Sequence, residues 1–199
     1  MTIGTVRLQA LSDITRRPRE AIRNAQKLGA APWDEEEFTE TSQRRYDGFH
    51  ALALVLAEGL MAQKCSMELA GEFVRAHHEA ISLFLHETTE GSLITPRFVL
   101  GLQRGIEDSL FGVSWMPVSM CSYGTEEEIL SAIEAEIKAV SRVSEAHGGH
   151  GKRRIISGPW IATVSIPEAY RLLKVRAEAA GFVVDGRRIY KIAKDDSEA

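Results

Sequence analysis

The sequence predicts an α+β protein, mostly helical over residues 1–87 and mixed α/β over 91–194, with an acidic tail at 195–199. Three observations carry this division. Apolar residues recur at helical spacing as far as Leu85. Between Leu93 and Tyr123 that period gives way to runs dense in Phe, Val, Trp and Leu, the residues that suit a pleated surface. Near the C-terminus, Asp185-Gly186 separates two short apolar runs, a hairpin signal of the type I′ kind.

With 199 residues, 44% of them apolar and 26% charged, the chain can bury a core and is too apolar to be disordered. The apolar stretch Phe49 to Met61 is interrupted by His50, Glu58 and Gly59, so no segment predicts a membrane span. Met1 to Leu11 shows no apolar block followed by a cleavage site, and a cytoplasmic protein is expected. Cys65 and Cys121 stand alone, which argues against a disulfide framework or a cysteine-built zinc site.

The formal charge of −4 conceals three blocks. Residues 1–30 carry six cations against two acids, residues 31–150 eight against twenty, and residues 151–194 ten against three. Local patches rather than totals decide contact with phosphate, so a basic head and a basic C-terminal segment favour an anionic partner despite the acidic middle.

Taken in order, Val6, Leu8, Leu11 and Ile14 predict a short helix, Thr15-Arg16-Arg17 a turn, and Pro18 the start of a second helix that ends at Gly29. The second helix groups Ala21, Ile22, Ala25 and Leu28 on one face and leaves Arg16, Arg17, Arg19, Arg23, Asn24 and Lys27 around the rest. Two short helices with Arg and Asn on the second match a helix-turn-helix, whose second helix reads base edges in the major groove. A solvated charged face on an ordinary helical hairpin is the competing reading. Phe38 and Thr39 could begin a strand, and a third helix is expected from Asp47 to Gln63, burying Phe49, Leu52, Leu56 and Leu60. After a turn at Lys64-Cys65, Ser66 caps a fourth that runs unbroken to about Glu87.

This order of pieces resembles the DNA-binding domain of the MerR family. The matching stretches are Leu8 to Leu28, Trp33 to Tyr46 with its Gln43-Arg44-Arg45-Tyr46 junction, Asp47 to Gln63 and Ser66 to Val74, about 75 of the 199 residues. The basic-Tyr step is shared with the winged-helix modules of excisionases and small terminase subunits. The resemblance implies a winged helix-turn-helix that binds double-stranded DNA as a homodimer. Arg16, Arg17, Arg19, Arg23, Asn24 and Lys27 would belong to the recognition helix or its turn, and Gln43, Arg44, Arg45 and Tyr46 to wing contacts with the DNA backbone. The wing departs from the family pattern in carrying Asp34, Glu35, Glu36 and Glu37, which a phosphate contact tolerates only if they point away.

Strands are expected within 97–102 and 110–120, and Thr125 with Glu128 forms a capping box for a helix striped by Ile129, Ile133, Ile137 and Val140. A loop over 146–154 precedes a strand, a helix from Pro167 to Ala180 and two closing strands. In a MerR-like regulator this half would hold a dimerising or sensing domain for a small-molecule or protein effector. Lys152, Arg153 and Arg154 in the expected loop are further candidate phosphate contacts. Adjacent His77 and His78 diverge by about 100° on a helix and make a poor metal pair with His86, His147 and His150 lack further ligands, and Trp115, Met116, Tyr123 and Trp160 read as core. No GxSxG, GxxxxGK[ST], HExxH or GxGxxG motif occurs, so neither catalysis nor a cofactor or metal is expected. Two other readings stay open: a recombination or packaging accessory factor that binds DNA, and an adaptor that uses a winged-helix shape to bind protein.

Overall fold

Residues 48–62, GFHALALVLAEGLMA, are apolar on nearly every side. A helix of that kind has no solvent face and must stand at the centre of its neighbours. The computed structural model describes residues 4–35, 38, 44–90, 98–108, 112–118, 125, 127–131, 133–135 and 153–192, with the backbone alone at 98–108, 112–118 and 153–161. In it α1 (Leu8–Thr15), α2 (Arg19–Lys27), α4 (Met67–Ala76), α5 (His78–Glu90) and α6 (Ile166–Ala179) gather around α3 (Gly48–Ala62). Gly48 through Ala57 and Leu60 are all buried, where a stripe of four residues was expected.

Each end of α3 is fixed by a polar device. Asp47 accepts from the His50 amide at 3.2 Å while the His50 ring returns to the Asp47 amide, closing a capping box. At the other end, Gln63 donates to the Thr163 carbonyl at 2.8 Å and accepts from the Thr163 amide at 3.3 Å, pairing its side chain with a strand as a backbone would. Ser66 caps α4, as expected, by accepting from the Leu69 amide.

The expected long fourth helix is two helices. The break falls at His77, whose ring nitrogen lies 2.7 Å from the Phe73 carbonyl and whose side chain is buried, so the polar atom that periodicity cannot see sets the end of α4. His78 packs against the Phe49 ring at 4.7 Å and His86 lies 3.4 Å from Glu90. Among the described residues no group of three His, Cys, Asp or Glu is placed to hold a metal, and no helix is long and apolar enough to cross a membrane.

Strands β1 (Phe98–Asp108), β2 (Gly112–Val118) and β3 (Arg153–Ser165) form an antiparallel sheet in the order β2-β1-β3. The shift between Leu102 and Arg104 in the β1–β3 register marks an irregularity in the ladder. Arg153 and Arg154, expected in a loop, lie in β3 instead, where the register sets them opposite Asp108 and Glu107. Thr125 and Glu128 make the expected capping box, and Ile129 and Ile133 are buried; Ile137, Val140, Thr39 and residues 146–152 lie outside the described residues.

The last elements are β4 (Phe182–Asp185) and β5 (Arg188–Lys191). Their two-residue loop is Gly186-Arg187, one position later than the sequence suggested, and only Gly186 has positive φ, at 55°. That φ pattern belongs to a type II′ turn, not the type I′ turn that Asp-Gly predicts. The shift follows from packing: a Cβ on Gly186 would run into the Thr89 hydroxyl and the Leu85 carbonyl, so the glycine has to occupy the point of closest approach to α5.

The core does not divide at the boundary expected between residues 87 and 91. Ala162, Ile166, Ala169, Tyr170, Leu173, Ala177, Val184 and Ile189 belong to the same buried cluster as Leu11, Ile22, Leu52, Phe73 and Phe84. Polar contacts cross the same gap. The Arg176 guanidinium, 14% exposed, meets Glu58 on α3 through two bonds of 2.6 and 3.2 Å and also reaches the Thr15 carbonyl at 3.3 Å. The buried Tyr170 hydroxyl accepts from the Gly186 amide at 2.9 Å and lies 3.4 Å from the Val184 carbonyl, and burial raises its pKa. The hairpin shares backbone bonds with the N-terminus and with the start of α3, Ile189 N–H to the Gly4 carbonyl at 2.7 Å and Gly48 N–H to the Arg187 carbonyl at 2.8 Å. Burial also pushes the Cys65 thiol up to about 11, leaving it a neutral core group at physiological pH.

A fragment ending at Glu90 loses these contacts and exposes the α3 face that α6 covers. It should bind hydrophobic dye and melt without a cooperative transition, whereas the full chain melts cooperatively. A fragment that unfolds cooperatively at the full chain's temperature would contradict the single core.

Candidate nucleic-acid interface

α2 is short, and its position comes from its ends and its one apolar face. Ile22 and Ala25 face the core. At the C-terminus the Ala30 amide donates to the Ala25 carbonyl at 2.8 Å and the Gly29 amide to the Gln26 carbonyl at 3.1 Å, with Gly29 left-handed at φ 66°, a complete Schellman motif. Arg75 on α4 donates to the Gly29 carbonyl at 3.2 Å and to the Ala31 carbonyl, tying the end of α2 to the bundle. At its other end Pro18 occupies the N-cap.

Arg19, Arg23 and Lys27, spaced four apart, form one exposed stripe, and Asn24 is exposed beside them. Arg16 is also exposed, in a left-handed conformation at φ 58° that ends α1. Arg17 differs from expectation. Its side chain is half-buried with a guanidinium nitrogen 3.7 Å from the Met61 sulfur, and its carbonyl accepts from Ser12 at 2.6 Å, so it packs the turn onto α3.

Tyr46 was expected at the DNA backbone but is 1% exposed. Its ring packs edge-on against Trp33, Phe38 and His50, with centroids 5.9, 5.4 and 5.6 Å away. Gln26 donates to its hydroxyl at 3.3 Å. The backbone of Tyr46 exchanges two hydrogen bonds with Val6, at 2.7 and 2.9 Å, an isolated antiparallel bridge. Arg44 and Arg45 before it are exposed, while Gln43 and Lys152 lie outside the described residues.

That bridge assembles a site the sequence did not group. Arg7, Leu8, Arg23, Gln26, Lys27, Glu35, Arg44 and Tyr46 line an open cleft of about 600 Å³. Four cations from three separate stretches thus surround one concavity, with an amide and a phenol between them. Arg44 makes an ion pair with Glu35 at 2.5 Å and lies over the Phe38 ring at 5.2 Å. Neither Arg7 nor Gln26 nor Glu35 was expected here. The signal for Arg7 existed in the basic head, but the pairing that carries it to Arg44 joins residues 40 apart and leaves no local pattern.

Asp47, next to Tyr46 in the chain, joins the start of α3 to the C-terminal hairpin. One carboxylate oxygen lies 2.6 Å from the His50 ring nitrogen, and the other accepts from Arg187 Nε at 3.0 Å. Burial raises the Asp47 pKa, but the His50 hydrogen bond and the His50 and Arg187 charges outweigh it, and the carboxyl is held below its ordinary 3.8. A depressed folded pKa adds stability that is present above the unfolded value and lost as pH falls through the folded one. Asp47→Asn keeps the cap and removes the charge. It should cost about 1–3 kcal/mol at neutral pH, and the difference in melting temperature from the parent should shrink to nothing as the pH drops below the folded pKa. A difference independent of pH would contradict the charge as its cause.

A scan against protein-family models finds no match, and no curated protein matches the chain, so the functional reading rests on these residues.

Proposed function

We propose that the protein is a sequence-specific DNA-binding transcriptional regulator of MerR-like type, working in the cytoplasm as a homodimer. In this reading α1, α2 and the segment from Trp33 to Tyr46 form the winged helix-turn-helix, and α2 enters the major groove. The β1–β3 sheet with the elements after it would take the effector-sensing or dimerising role. The observation that carries the reading is the cleft: Arg7, Arg23, Lys27 and Arg44 converge beside the exposed Arg19 and Asn24 of α2.

The chemistry fits the division of labour at a DNA interface. Cations around a concavity engage phosphates and fix register, while Arg and Asn on a projecting helix reach guanine and adenine edges. Within this assignment Arg19, Arg23 and Asn24 are the base-reading candidates, and Arg7, Lys27, Arg44 and Arg45 the phosphate-contacting ones. Arg17 and Tyr46 act through packing, by holding the turn and the wing base in place.

Selection of bound duplexes from a random pool tests the reading. A palindromic motif should be enriched, with affinity that falls steeply as salt rises. Arg19→Ala combined with Arg23→Ala should weaken binding to that motif by about ten-fold or more at fixed salt. No enrichment, or a double variant that binds as tightly as the parent, would overturn it.

A further inference from the structure

Glu35 is out of place in a cleft built from cations. Its Oε2 meets Arg44 at 2.5 Å, while its Oε1 is buried without a hydrogen-bond partner among the described residues. The same turn supplies Phe38, whose amide donates to the Glu35 carbonyl at 3.2 Å and whose ring lies 5.2 Å from the Arg44 guanidinium carbon. Arg44 is therefore held by a carboxylate and by an aromatic ring, both delivered by residues 35–38. Phe38 is anchored in turn against Trp33, Tyr46 and His50 at 6.5, 5.4 and 5.2 Å.

We infer that Glu35 is the resident anion of this cleft, an internal stand-in for a phosphodiester that DNA must displace to engage Arg44. The inference rests on the DNA-binding reading and concerns the regulation of that same site. In the free protein the Glu35 carboxylate neutralises Arg44. On binding, a DNA phosphate takes its place beside Arg44, Arg7, Arg23 and Lys27, and Phe38 keeps the guanidinium oriented during the exchange. One Glu35 oxygen is unsatisfied and the pair is part-exposed, so the contact is weak enough to give way. Losing it still lowers the gain from any phosphate contact, whatever the sequence. A duplex that adds base contacts on α2 overcomes this more readily than one that offers phosphates alone.

The test titrates the full-length chain with a labelled duplex of random sequence at two salt concentrations. Glu35→Gln should tighten binding by about two- to five-fold. Asp34→Asn makes the same change in net charge at an exposed neighbour outside the cleft and should produce a smaller gain. In an Arg44→Gln background the benefit of Glu35→Gln should vanish. Equal gains from the Glu35 and Asp34 variants, or a Glu35 gain that persists without Arg44, would reduce the effect to general repulsion and overturn the exchange. Parent binding that is unchanged by Glu35→Gln would overturn the inference alone. Absence of binding by both would overturn the DNA reading with it, and binding by the Glu35 variant only would support both.

Discussion

The burial of α3 is the constraint on which the rest of the structure depends. A fifteen-residue helix with almost no polar face needs covering on all sides, and part of that cover comes from residues beyond the first ninety. Each fully buried Leu on it contributes about 1.5–3 kcal/mol only while its neighbours exclude water. The chain meets this need by returning after the sheet: α6 lays Ala169, Leu173 and Ala177 into the same core, and the Arg176–Glu58 pair fixes their alignment. The hairpin then closes on Gly4, Gly48 and the end of α5. The cationic cleft is lined by residues 7–46, and the C-terminal segment meets the residues flanking it at Thr15 and Asp47.

This arrangement ties the segments flanking the cleft to the C-terminal half of the chain. Arg176 touches the last residue of α1, immediately before the turn into α2, and Arg187 touches Asp47, immediately after Arg44, Arg45 and Tyr46. Each half of the proposed DNA surface is consequently held by a cation from the C-terminal segment. Those two contacts also offer a physical route by which a shift of α6 or of the β4–β5 hairpin would alter the spacing of α2 and residues 44–46. Two cations of the basic C-terminal block pair within the protein, Arg176 with Glu58 and Arg187 with Asp47, and Arg153 and Arg154 stand opposite Asp108 and Glu107 in the sheet register.

Local features of the sequence were legible because local physics decides them. The α2 stop at Gly29, the Asp47 and Ser66 boundaries, the Thr125 box and the exposed Arg19, Arg23 and Asn24 all follow from capping chemistry and helical period. Long-range pairing was not legible. Nothing near Val6 announces Tyr46 as its partner, so Arg7 could not be assigned to the cleft, and the aromatic packing that buries Tyr46 draws on Trp33 and Phe38 from an acidic stretch without a regular apolar period. Where a side chain overrode periodicity, as His77 does between α4 and α5, the apolar pattern continued across the break and concealed it. Of the acids at residues 34–37, Glu35 pairs with Arg44, a partner nine residues on that the sequence does not single out.

Amide hydrogen exchange of the full-length chain with and without duplex DNA addresses the central claim most directly, because it locates the contact surface without presuming an operator. The account expects slowed exchange concentrated in residues 16–27 and 44–46, with α5 and α6 unchanged. Protection confined to α6 and the hairpin, or no protection anywhere under conditions where DNA is bound, would place the nucleic acid elsewhere and contradict it.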